Sequence, residues 1–116
     1  LSWLHEVPIR DITTTAITEA ELRFGLRRMP PGARRDKLQA ALERLLGEFG
    51  SKVFSFDRDA AHWFAEILSA RVDAGRPMQL ADAQIAAICR REGATLVTRN
   101  LRDFVDCGIG LINPWD

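Results

Sequence analysis

Apolar residues recur along this chain with helical spacing in several stretches and condense into short β-prone runs between them. Leu38, Leu42, Leu45, Leu46 and Phe49 follow the i, i+4, i+7, i+8 rule of an amphipathic helix, which starts after the turn signal Met29-Pro30-Pro31-Gly32 and ends at Gly50. Ala60, Phe64, Ile67 and Leu68 mark the inward face of another helix, with Asp57 placed as its N-cap and Gly75 and Pro77 closing it. Leu80 to Arg91 predicts a third, with Ile85, Ala86, Ile88 and Cys89 on its buried side and Gly93 at its end. Upstream, Thr18-Glu19-Ala20-Glu21 has the form of a capping box, predicting a helix that begins at Thr18 and buries Leu22 and Leu26. Leu1 to Leu4 reads as the end of one more helix.

The runs 12–15, 53–56, 95–98 and 111–112 read as strands, because β-branched and aromatic side chains are stiff at χ1 and suit a pleated surface. Strands alternating with helices imply an α/β domain in which helices flank a mainly parallel sheet. No repeat or linker divides residues 1–116, so a single domain is expected.

Composition adds exclusions. Hydrophobic residues at 47% and charged residues at 28% are incompatible with a disordered, collagenous or low-complexity chain. The longest apolar runs are a few residues, far short of the roughly 18 that span a bilayer, so no membrane partner is expected. Two cysteines without a CxxC or a cysteine framework suggest free thiols and a cytoplasmic setting. The formal net charge is zero, but between Arg23 and Lys37 six basic residues (Arg23, Arg27, Arg28, Arg34, Arg35, Lys37) face one acidic residue, Asp36. Such a stretch is either a solvated face or a surface that tracks phosphates or meets a partner.

Several site chemistries are absent from the sequence. There is no Gly-rich phosphate loop, no GxSxG and no paired His/Cys ligand spacing, and His5 and His62 stand apart in unrelated contexts. What remains is a set of carboxylates at element ends: Glu21, Asp82 and Asp103. In an open parallel sheet such ends gather along one edge, where ligands bind. Carboxylates converging there repel one another unless a hard cation such as Mg²⁺ or Mn²⁺ neutralises them, an arrangement suited to phosphodiester hydrolysis. Each also has a purely structural explanation: Glu21 as capping-box partner, Asp82 as a favourable charge at a helix N-terminus, Asp103 as a turn residue. Spacing alone leaves both explanations open.

The wording of the sequence goes further. Thr15-Ala16-Ile17-Thr18-Glu19-Ala20-Glu21-Leu22-Arg23-Phe24-Gly25 resembles the "SAIT-x-AEL-x-x-G" segment of PIN-domain ribonucleases of the VapC toxin type, in the branch that includes FitB-like proteins. Asp82 to Ala87 resembles that family's "D-A-x-I-A-A", Leu96 to Phe104 its "L-x-T-R-N-x-x-D-F", and Asn113-Pro114-Trp115 its "NPW", all in the family's order. The resemblance implies a three-layer α/β fold and a Mg²⁺- or Mn²⁺-dependent endoribonuclease toxin, held inactive by a cognate antitoxin and commonly paired as a homodimer.

Carried over, the resemblance gives Glu21 and Asp82 as acidic metal-site residues, with Asn100 at a further acidic position and Asp103 as the nearby carboxylate. Thr18 and Thr98 become supporting residues, and Arg23, Arg27 and Arg28 contacts for RNA or antitoxin, with Phe24, Leu26 and Met29 on the antitoxin surface. The family's opening "LLDTNVLSE" strand, whose Asp is a metal ligand, has no match in this sequence. Asp11 falls in the family's second strand and does not replace that ligand. The expectation is a chain that begins inside the family's first helix, without the first strand and most of that helix, some 20 residues by the size of a βαβ unit. Two rival readings are an inert PIN-like module that binds an antitoxin or self-associates, and a Rossmann-like nucleotide-binding half-domain, which the missing Gly-rich loop disfavours.

Overall fold

A computed structural model describes residues 13–98 and 100–112. The expected helix end at Leu1–Leu4, the residue Ile12 and the Asn113-Pro114-Trp115 motif lie outside them. Eight regular elements follow in chain order: β1 (Thr14–Thr15), α1 (Ala16–Arg28), α2 (Ala33–Phe49), β2 (Val53–Phe54), α3 (Arg58–Asp73), α4 (Leu80–Glu92), β3 (Thr95–Val97) and β4 (Gly110–Ile112). Two single 3₁₀ turns, Gly50–Lys52 and Leu101–Phe104, join α2 to β2 and β3 to β4.

The first helix starts three residues earlier than the capping-box pattern predicts. Thr15 is the N-cap, extended at φ −124° and ψ 155°, and its hydroxyl accepts from the Thr18 amide at 3.0 Å. Thr18 therefore sits in the first turn, its own hydroxyl 3.0 Å from that of Thr15, and Glu21 lies a turn further on, free of any capping role. The physical reason is that Thr15 serves two elements: as the last residue of β1 it is already extended, which is the backbone an N-cap requires. With a side chain only 1% exposed, Thr15 has no water to replace its bonds. Thr15→Ala is expected to cost about 1 kcal/mol, or roughly 3–6 °C in Tm, with Thr15→Ser close to wild type in the same thermal melts.

Helix α4 is the centre of the core. Ala83, Ala86, Ala87, Ile88 and Cys89 are fully buried and Ile85 nearly so, while Ala60 and Ile67 of α3 pack against them. Alanines at the crossing let α3 and α4 approach closely, and Phe104 and Cys107 close the cluster from the segment after β3. Gly93 ends α4 in the left-handed region at φ +61°, the conformation for which glycine has no Cβ penalty. Arg91 then ties α4 to the start of α3: its guanidinium lies 2.6 Å from the Asp57 carboxylate that caps the Ala60 amide.

The strands are parallel in both pairs, β1 with β2 and β3 with β4. They are shorter than the sequence suggests at 53–56 and 95–98, since Ser55, Phe56 and Thr98 lie past the last ladder residues. Among the described residues the two pairs share no hydrogen bond, so the sheet is two separate two-stranded halves. The facing edges of β1 and β3 both border one cavity. Leu22, expected on a buried face, is 47% exposed because it points toward this cavity and the groove beside it, whereas Leu26 is buried as expected.

Candidate active site

The cavity between the two half-sheets is about 490 Å³. Thr13, Thr14 and Thr15 of the first half and Leu96 and Thr98 of the second line it, with Thr18 and Asp82 from the first turns of α1 and α4 and Asn100 from the strand exit. Glu21 lines it from the second turn of α1, inside the helix and not at the element end expected from the sequence. A second cavity of about 410 Å³ adjoins it, sharing Asp82 and Asn100 and adding Arg71, Gln79 and Asp103. Thr18, Glu21, Asp82, Thr98 and Asn100 thus line one cavity, and Asp103 lines the adjoining one with Asp82. Arg23, Arg27 and Arg28 line neither cavity.

Local structure explains each placement. Asp82 stands in the first turn of α4, half-buried. Burial, and next the negative charge of Asp103, push its carboxyl above the ordinary carboxylate range. Past β3, the Thr98 hydroxyl accepts from the Asn100 amide at 3.1 Å, and the Asn100 carbonyl accepts from the Asp103 amide at 3.0 Å. Thr98 therefore fixes the turn that carries Asn100 and Asp103. The Thr18 hydroxyl is engaged with that of Thr15 at the cap.

The basic stretch divides. Arg23 is held by Glu19 and Glu43, each at 2.7 Å, in a network joining α1 to α2 that keeps its guanidinium charged and pulls Glu43 below the ordinary carboxylate range. Arg27 and Arg28, in the last turn of α1, are exposed with no ion pair among the described residues.

Arg71 is a site residue that reading the sequence missed. Only 7% exposed, it donates from Nε to the Arg76 carbonyl at 2.7 Å and from Nη1 to the carbonyls of Asp103 and Val105, each at 3.1 Å. Its signal was positional: it falls four residues after Ile67, on the inward stripe of α3, where an arginine needs a buried partner. The cysteines are not part of the chemistry. Burial pushes the Cys89 thiol up to about 12 and raises that of Cys107, and both are free and buried, so neither presents a thiolate.

Whether the acidic residues fit a divalent cation is a question of donor chemistry and number. Every donor offered is oxygen, from carboxylates and an amide, which suits Mg²⁺ or Mn²⁺ rather than a thiophilic metal. Among the described residues no three His, Cys, Asp or Glu side chains converge into a closed cage. Mg²⁺ asks for less, since it commonly keeps several waters and is held by one or two carboxylates together with substrate phosphates. Glu21 and Asp82 both line the cavity and are carboxylates of the kind such a site uses.

Helices around parallel strand pairs, with Asp82 at a helix start and Asp103 past a strand exit, define a small α/β domain. The chain belongs to the PIN domain family, whose match covers residues 1–108. It is 37% identical over 117 residues to the VapC ribonuclease Y4jK of Sinorhizobium fredii, covering all of this chain and 84% of that protein. The crystal structure of FitAcB from Neisseria gonorrhoeae superposes with a TM-score of 0.87 at 31% identity, over 98% of this chain and 83% of that one. VapBC-5 of Mycobacterium tuberculosis, a member of the VapBC family of toxin-antitoxin systems, superposes at 0.72 with 25% identity, over 87% and 80% of the two chains.

Proposed function

We propose that this chain is the catalytic domain of a toxin endoribonuclease that depends on Mg²⁺ or Mn²⁺ and is neutralised by a cognate antitoxin. The observation that carries the reading is the single cavity onto which Glu21, Asp82, Thr98 and Asn100 open, with Asp103 next to Asp82. Membership of the PIN family and likeness to a VapC ribonuclease supply the chemistry such a cavity would serve. RNA as substrate, a second copy of the chain as partner and action in the cytoplasm belong to the same proposal.

In this reading Glu21 and Asp82 hold the cation, Asn100 orients water through its amide oxygen, and Asp103 adds negative charge beside Asp82. A divalent cation, when bound, supplies Lewis-acid polarisation of the phosphoryl oxygen. Hydrolysis adds water across the P–O3′ bond: the hydroxyl oxygen ends on phosphorus and the proton on the 3′ oxygen, leaving 5′-phosphate and 3′-hydroxyl ends. Arg27 and Arg28 meet phosphates. Arg23 joins them only by giving up Glu19 and Glu43, an exchange that costs little because the pairs are solvated.

Antitoxin docking is assigned to an apolar groove of about 320 Å³ between α1 and α2, lined by Leu22, Gly25, Leu26, Met29, Leu38 and Leu42. Leu22 and Leu38 are 47% and 43% exposed there. Phe24, expected on this surface, is exposed but lies off the groove. Glu21 lines both the groove and the main cavity, so a segment seated in the groove ends at the acidic residues.

The decisive test incubates the full-length protein, freed of antitoxin, with RNA in Mg²⁺, Mn²⁺ or EDTA. Metal-dependent cleavage to 5′-phosphate ends is expected. Cleavage no greater than in EDTA, with antitoxin binding retained, would instead make the chain an inert interaction module.

A further inference from the structure

We propose that Arg71 is a positioning residue of the site: its one guanidinium sets the spacing of Asp82 and Asp103 by holding the two chain segments that carry them. The inference rests on the ribonuclease reading above. Nε is bonded to the Arg76 carbonyl, in the link that runs from α3 into the first turn of α4, where Asp82 stands. Nη1 is bonded to the carbonyls of Asp103 and Val105, in the segment that follows Asn100. No other side chain among the described residues bonds to the backbone of both segments.

The chemistry of the arrangement is unusual for a structural arginine. Among the described residues no carboxylate pairs with Arg71, although Asp82 and Asp103 line the same cavity. A buried cation answered by carbonyl dipoles and the Cys107 Sγ at 3.9 Å, with no carboxylate, is retained where its fixed fork does something a neutral side chain cannot. Here the planar guanidinium spans two segments at once and leaves both carboxylates free for a ligand. It also places a positive charge at the wall of the acidic cavity, where negative charge must collect. On its far side the segment is also met by Arg90, which lies against Gly108 and donates from Nη1 to the Cys107 carbonyl at 3.0 Å.

The test compares full-length wild type with Arg71→Lys and Arg71→Ala, each freed of antitoxin and checked for folding by thermal melts. RNA cleavage in Mn²⁺ should lose about 100-fold in kcat in Arg71→Ala, the scale of a misplacement of about 1 Å, while KM stays within about threefold. Arg71→Lys keeps the charge but gathers its donors at one point, so an intermediate loss is expected. Guanidinium ion at tens of millimolar should recover part of the kcat of Arg71→Ala, and sodium chloride at the same strength should not. Amide exchange gives a readout apart from activity: residues 76–82 and 100–107 should lose protection together, with α1 and α2 unchanged. Wild-type kcat in both folded variants, or exchange that rises in one segment alone, overturns the assignment. Should Arg71→Ala fail to fold, Arg71→Lys and its exchange pattern decide. Wild type that cleaves no RNA overturns the ribonuclease reading, and the role given to Arg71 falls with it.

Discussion

Asp82→Asn should lose RNA cleavage by on the order of 10³-fold and, at the same time, melt at a higher temperature than wild type. The two effects have one cause. Asp82 is half-buried with Asp103 as a like-charged neighbour, and both raise its carboxyl above the ordinary value. A group whose folded-state pKa is raised favours the fold while protonated. That contribution is whole below the unfolded pKa and is lost as pH rises through the folded one. At pH 7 the ionised side chain is therefore a burden that asparagine, nearly the same shape, removes. Melts in EDTA at pH 7 should show the variant higher by roughly a few degrees, and the gap should close toward pH 3, where wild-type Asp82 is protonated. Normal cleavage by the variant would sink the catalytic role. A lower Tm at pH 7 would show that Asp82 is not held against its own electrostatics.

That tension marks what the sequence could and could not show. The helix that carries Asp82 was readable from Ile85, Ala86, Ile88 and Cys89, because a helix buried on one side repeats its apolar positions every three to four residues. The Asp57 cap and the Gly93 stop were readable as well, since each needs a particular side chain or its absence. The start of α1 was not. Three threonines precede Thr18, all of them competent caps, and only the pairing of β1 with β2 decides that Thr15 is the last extended one. Asp82, Asn100 and Asp103 were legible as candidates through the order of their motifs. Their separation was not, because it is set by Arg71, whose partners are backbone carbonyls that carry no sequence signature.

The exposure of Leu22 and Leu38 was illegible for a related reason: periodicity marks an apolar face but not whether this chain or another covers it. Gly25 gives the means to find out. It lies mid-helix in α1 and lines the groove, and a Cβ built there meets nothing within 4 Å among the described residues. Glycine at such a position costs a helix roughly 0.5–1 kcal/mol relative to a good helix former, with no close contact among the described residues to explain it. Gly25→Leu is therefore expected to stabilise the free protein by about that amount while filling the groove with a side chain. Antitoxin affinity, measured by calorimetry on separately purified partners, should fall roughly 100-fold, because the clash acts only in the complex. RNA cleavage by the free variant should match wild type, since Gly25 does not line the acidic cavity. Phe24→Ser, at a side chain 67% exposed but off the groove, should bind antitoxin within threefold of wild type. Gly25→Leu that keeps wild-type affinity, or Phe24→Ser that loses it, would move the docking site off the groove and onto the outer face of α1.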